Sequence, residues 1–226
     1  MGVLQQDWRD GMHPSMRAGL QALLLGTLVV VMVAVLLSPT VAGLTGLPSH
    51  ILDRPVDRSK PHVRLTPAQR LAARRTAVRV ALSQVGVREH GGANRGSRIV
   101  AYRRAVSGVG ENPRSAEPWC ADFVSWAWQR AGVPLGFGGR GSDYVPELSA
   151  WAKLSHRWHW ARDSYRPRPG DLVVFRSGRS RRGHIGLVTS FNNGWIRTVE
   201  GNWSDRVARR TMRPGNAIVT GFISPV

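Results

Sequence analysis

Three patterns of hydrophobic and polar residues follow one another along the chain. The first is a stretch without a single charge from Ala18 to Ser49, inside which Leu20–Leu37 is almost continuously apolar. Those 18 residues would rise about 27 Å as a helix, close to the ~30 Å hydrocarbon core of a bilayer. Residues 18–42 are therefore expected to cross a membrane as an anchor, or to be removed as a secretory signal at the small residues Thr40-Val41-Ala42. Arg9 and Arg17 in the short tail 1–17 are matched by Arg54 and Arg58 after the segment, so flanking charge sets no orientation. Residues 43–65 carry Pro48, Pro55 and Pro61 among charged residues and read as a semi-extended tether.

The second pattern is helical. Thr66-Pro67-Ala68-Gln69 combines a cap residue, proline at the first helical position and glutamine three residues after the cap. Leu71, Val78, Leu82 and Val85 share one face of the predicted helix, Arg70, Arg74, Arg75 and Arg79 lie mostly elsewhere, and Gly86 ends it. A shorter helix is expected over Arg98–Val106. A third runs from Trp119 to Ala131, with Phe123, Val124, Ala127, Trp128 and Ala131 as its apolar stripe and Gly132 as its stop. Residues 133–170 are rich in Gly and Pro, with a short helix near Glu147–Leu154.

The third pattern has the period of a strand. Leu172–Phe175, Ile185–Phe191, Trp195–Val199, Val207–Met212 and Ala217–Ile223 are short, β-branched runs parted by turn residues, which predicts an antiparallel sheet. Helices first and strands after define a single α+β domain over residues 66–226.

Charge changes the picture in one respect. The chain has 32 Lys and Arg against 14 Asp and Glu, a formal net charge of +18. Asp7 and Asp10 cancel Arg9 and Arg17, so the surplus belongs to the tether and the domain. Such a surface favours polyanions such as nucleic acid, anionic lipid or an anionic cell-wall polymer; arginines spread over solvated faces are the simpler alternative.

The chemistry centres on Cys120, the only cysteine, flanked by tryptophans in "PWCADFVSW". One thiol excludes an internal disulfide and a thiolate-rich metal centre. In the first turn of a helix, unpaired N–H groups and the helix dipole favour an anion, which suits a nucleophilic thiolate. Its best partner is His184, in "GHIGLVTSF". Of the seven histidines, His13, His50, His62 and His90 sit in tails, linkers or loops. His156 and His159 form an HxxH without a third ligand, so neither a metal nor a cofactor is expected.

A group to orient His184 follows from the next hairpin, "SFNNGWIR". A three-residue loop with Gly194 left-handed pairs Phe191 with Trp195. It sets His184 opposite Asn202, with Glu200 diagonal on the same face. A two-residue Asn193-Gly194 loop would instead turn Glu200 and Asn202 to the opposite face.

The blocks "PWCADFVSWAWQRAG", "RPRPGDLVVF", "GHIGLV" and "VEGNW", in that order, resemble the CHAP family, the cysteine, histidine-dependent amidohydrolases/peptidases, a papain-like group of bacterial cell-wall hydrolases. The resemblance covers about residues 70–225. It implies helices packed on an antiparallel sheet, with Cys120 as nucleophile, His184 as general base, Glu200 orienting the histidine and Asn202 as a further polar member of the site. It also implies peptidoglycan as substrate, cut at the muramoyl–L-alanine amide or within the peptide stem or cross-bridge. Substrate contacts are expected from Arg181 and Arg182 before His184, and from Trp119 beside the thiol. Trp151, Trp158 and Trp160 could stack on sugars or simply pack. The chain would act as a monomer outside the membrane, tethered through residues 18–42 or released to the wall. A peptidase acting on some other amide, and a non-catalytic basic module for anionic wall polymer or nucleic acid, are the competing functions.

Overall fold

The structure, a computed structural model, describes residues 64–91, 93–106, 112–177, 180–216 and 218–226, without the side chains of 177 and 180–182. The predicted anchor over 18–42 and all but the last two residues of the tether lie outside the described residues. Among the described residues, no helix is long and apolar enough to cross a membrane.

The first helix, α1, spans Pro67–Leu82 and starts as its sequence dictates. The Gln69 amide donates to Thr66 Oγ1 at 3.2 Å, and the Thr66 amide donates to Gln69 Oε1 at 2.8 Å. Its buried face matches the predicted one in part: Val78 and Leu82 pack partly buried against the core, but Ala73, Arg74, Ala77 and Ala81 are the fully buried positions, while Leu71 is 49% and Val85 38% exposed. Alanines let the helix lie close against its neighbour, and Arg74 goes inward because a buried acid awaits it. Arg74 Nη1 lies 2.6 Å from Asp171 Oδ1, and Arg74 Nη2 donates to Ser224 Oγ at 2.6 Å. Asp171 also accepts from the Tyr165 hydroxyl at 2.7 Å and the Arg168 amide at 2.8 Å. Pro169-Gly170-Asp171 is thus a clamp between α1, the sheet and the C-terminal strand, as well as a turn.

Helix α2 spans Ser97–Arg103 and tightens into a 3-10 turn over Arg104–Val106. Helix α3, Cys120–Arg130, is the central element: every residue from Cys120 to Trp128 is buried. It packs on α1, α2 and the sheet, which explains an apolar content wider than one stripe. Helix α4 follows at Val145–Leu154.

Six strands form one antiparallel sheet: β1 (Trp158–Trp160), β2 (Leu172–Ser177), β3 (Ser180–Asn192), β4 (Trp195–Glu200), β5 (Ala208–Met212) and β6 (Val219–Ile223), in the order β1-β6-β2-β3-β4-β5. Strand β1 was not predicted, because three residues carry no readable alternation. Leu172, Val174, Ile185, Leu187 and Val199 enter the core shared with the helices. The alternate residues Val173, Phe175, Val188, Ile196 and Phe222 build a smaller cluster. This is the α+β architecture expected, and it brings the start of α3 against β3 and β4.

Candidate active site

The β3–β4 hairpin resolves the register question by using both alternatives. Its turn is the two-residue Asn193-Gly194 loop, with φ of 51° and 74°, so Asn192 pairs with Trp195 and Phe191 with Ile196. The three-residue loop is therefore corrected. A bulge between Val188 and Ser190 then takes up one residue, and beyond it Val188 pairs with Thr198 and Leu187 with Val199. That second register is the one that brings Glu200 toward His184. Gly186 completes the approach, since a Cβ there would lie 2.5 Å from Glu200 Cγ.

His184 Nε2 lies 2.9 Å from Glu200 Oε2. Glu200 is fully buried and accepts two further bonds, from Thr198 Oγ1 at 2.6 Å and from Arg210 Nη1 at 3.0 Å. Burial pushes the Glu200 carboxyl up, but the bond and charge of His184, with Thr198 and Arg210, outweigh it and hold the carboxyl below its usual range. An ionised carboxylate can only accept, so Nε2 carries the proton. The other ring nitrogen is left for the Cys120 thiol, which lines the same cleft as His184. Burial alone would lower the His184 pKa; the bonds and charges of Cys120 and Glu200 reverse this and raise it to about 9.

Cys120 occupies the first position of α3, after Trp119 at the cap, and is 5% exposed. It is placed by the close contact of α3 with the end of β4: a Cβ on Gly201 would lie 2.6 Å from Phe123 Cβ and 2.9 Å from Trp119 Cζ3. Cys120, His184 and Asn202 line one cleft of about 360 Å³, together with Phe175, Trp203 and Arg210.

Asn202 reaches the cleft without facing His184 across a ladder, because β4 ends at Glu200 and Asn202 is left-handed at φ 56°. Its Nδ2 donates to Asn94 Oδ1 at 3.1 Å. Asn94 is held in turn by Glu89, whose Oε2 accepts from the Asn94 amide at 2.7 Å. Trp119 is corrected as a substrate contact: it is fully buried on Tyr102, and its Nε1 donates to the same Glu89 at 2.9 Å. Glu89 thereby ties the residue before the thiol to the loop behind Asn202. Arg181 and Arg182, expected in a loop, lie within β3, and their side chains fall outside the described residues. Trp158 and Trp160 sit on β1 at the far edge of the sheet, beneath the Lys153 ammonium. Of the two aromatics that line the cleft, Phe175 is buried and Trp203 is 38% exposed.

Thr198 and Arg210 went unread in the sequence. Both follow from period two once the β4–β5 register is known: Glu200 pairs with Ala208 and Thr198 with Arg210, so all three polar groups fall on one face. A thiol, an imidazole and a charge-balanced carboxylate thus meet at one cleft on an α+β fold. Residues 112–202 match the family model of the CHAP domain. Among solved structures, the chain is similar to Ly7917, with 14% identity over 66% of this chain and 61% of that one (TM-score 0.42). It is similar to the peptidoglycan hydrolase RipB from Mycobacterium tuberculosis, with 20% identity over 81% of this chain and 75% of that one (TM-score 0.42). It is also similar to a mutated form of the Resuscitation Promoting Factor Interacting protein RipA, with 16% identity over 71% and 64% (TM-score 0.40). The chain thus spans less than two thirds of the length of Ly7917 and of RipA. No curated protein matches it.

Proposed function

We propose that this protein is a cell-wall hydrolase that cleaves an amide bond of peptidoglycan, with Cys120 as its nucleophile. The observation that carries this is one histidine set between a thiol and a buried carboxylate: His184 bonds Glu200 at 2.9 Å and lines one cleft with Cys120. The CHAP domain match supports it, since that family groups cysteine-dependent wall amidases and peptidases. In this mechanism the Cys120 sulfur attacks the amide carbonyl carbon and a C–S bond forms. As the C–N bond breaks, the His184 imidazolium gives its proton to the leaving amine. Neutral His184 then takes a proton from water as the water attacks the thioester, and the acid departs from the sulfur. The Cys120 amide, at the first helical position where no intrahelical acceptor exists, is a suitable donor to the developing oxyanion. Glu200 acts through His184, fixing its tautomer, and Thr198 and Arg210 hold Glu200. Asn202 acts as a polar wall of the cleft. Residues 18–42 would hold this domain on the wall side of the membrane or direct its release.

Purified sacculi treated with the full-length chain test the proposal, with mass spectrometry of the released fragments. Wild type is expected to release products and Cys120→Ser none. A free lactyl carboxylate paired with an L-alanine amine identifies an amidase; split stems identify an endopeptidase. Release by both forms, or by neither, would contradict the proposal.

A further inference from the structure

The charges lining the cleft are all of one sign. Among its described lining residues there is no Asp or Glu, while Arg176 and Arg210 both border it beside His184. Glu200 is fully buried behind them. Arg210 is built differently from a solvated surface arginine. Its guanidinium lies 3.5 Å over the Trp203 ring and 5.6 Å from the Phe175 ring, and its Nη1 is fixed on Glu200 at 3.0 Å. The side chain is nonetheless 19% exposed. A guanidinium carries five N–H donors in a planar fork. Among the described residues, Glu200 is its sole hydrogen-bond partner. Stacking has already removed much of its rotamer freedom, so the remaining donors meet a ligand with little further ordering.

We infer that the cleft recognises a carboxylate on the substrate, held by the outward N–H groups of Arg210 and by Arg176, close to the amide that Cys120 attacks. Planar, paired N–H donors match a carboxylate better than a neutral carboxamide, and a charge-assisted bond is roughly twice as strong as a neutral one. The substrate class is therefore an acidic peptide amide. Within the proposed function, on which the naming of the substrate rests, this means a wall stem whose carboxylates are free and not amidated. Arg210 thus has two roles, balancing Glu200 on one side and selecting the substrate on the other.

The test uses two soluble muropeptides identical except that the stem carboxylates are free in one and amidated in the other. Their binding is measured by calorimetry to full-length Cys120→Ala protein, which separates recognition from turnover. The free acid is expected to bind roughly ten- to a hundred-fold more tightly, the range of one charge-assisted bond. Adding Arg176→Gln or Arg210→Gln to Cys120→Ala is expected to shrink that ratio, and both together to bring it near one. Equal binding of acid and amide, or a preference that survives both substitutions, overturns the inference. Wild-type protein given the same pair distinguishes the two claims: cleavage of both at equal kcat/KM keeps the hydrolase and sinks the carboxylate site. Acid-selective binding without cleavage of either keeps the site and sinks the hydrolase.

Discussion

Burial and charge pull His184 in opposite directions, and charge wins, which leaves the ring protonated up to about pH 9. A group whose folded pKa lies above its free value of 6.5 contributes stability that is complete below 6.5 and lost as pH rises through about 9. The urea midpoint of wild type is therefore expected to fall between pH 7 and pH 10, and that of His184→Gln to stay flatter; parallel curves would refute the shift. Activity should decline over the same alkaline limb as the imidazolium that protonates the leaving amine is lost. Glu200→Gln is expected to cost ~10²–10⁴ in kcat, the range for a positioned acid–base system, measured on the soluble muropeptides. Cys120 and His184 were legible because a lone thiol at a helix start and a histidine opening a β-branched run are local signals. Trp119 was misread because proximity in sequence to the thiol says nothing about which way an indole packs.

Among the elements, the β3–β4 hairpin decides whether the site exists. Its Asn-Gly turn was visible in the sequence, but the bulge near Thr189 was not, because no residue type there demands one. The turn alone would have sent Glu200 to the wrong face; turn and bulge together bring it to His184. Gly186 is the sensitive point of this arrangement. Gly186→Ala would place a Cβ within 2.5 Å of Glu200 Cγ, and a displacement of that kind is expected to lower kcat by ~10²-fold. Circular dichroism should show the fold retained. Wild-type turnover in this variant would mean that the Glu200 position is not critical. Arg210 and Thr198 were unreadable for the same reason as the bulge, since their placement depends on a strand pairing that the sequence only outlines.

For the whole molecule, the α+β order was legible from periodicity alone, while the face that α1 buries was legible only in part. Of the predicted Leu71, Val78, Leu82 and Val85, Val78 and Leu82 pack against the core; the fold buries alanines and Arg74 more deeply, and the partner that draws Arg74 inward, Asp171, lies 97 residues away. Arg74→Met would leave Asp171 buried without its cation, and a loss of about 3–5 kcal/mol is expected from breaking such a pair, read as a lower urea midpoint. A change near zero would mean the clamp adds little. The central claim, that this scaffold presents Cys120 as a nucleophile, is tested most directly by quenching the full-length protein in acid during turnover of a muropeptide and weighing the fragment that contains Cys120. The account predicts an added acyl mass on that fragment, discharged by hydroxylamine and missing in Cys120→Ser. Product release without any adduct, undiminished in Cys120→Ser, would contradict it.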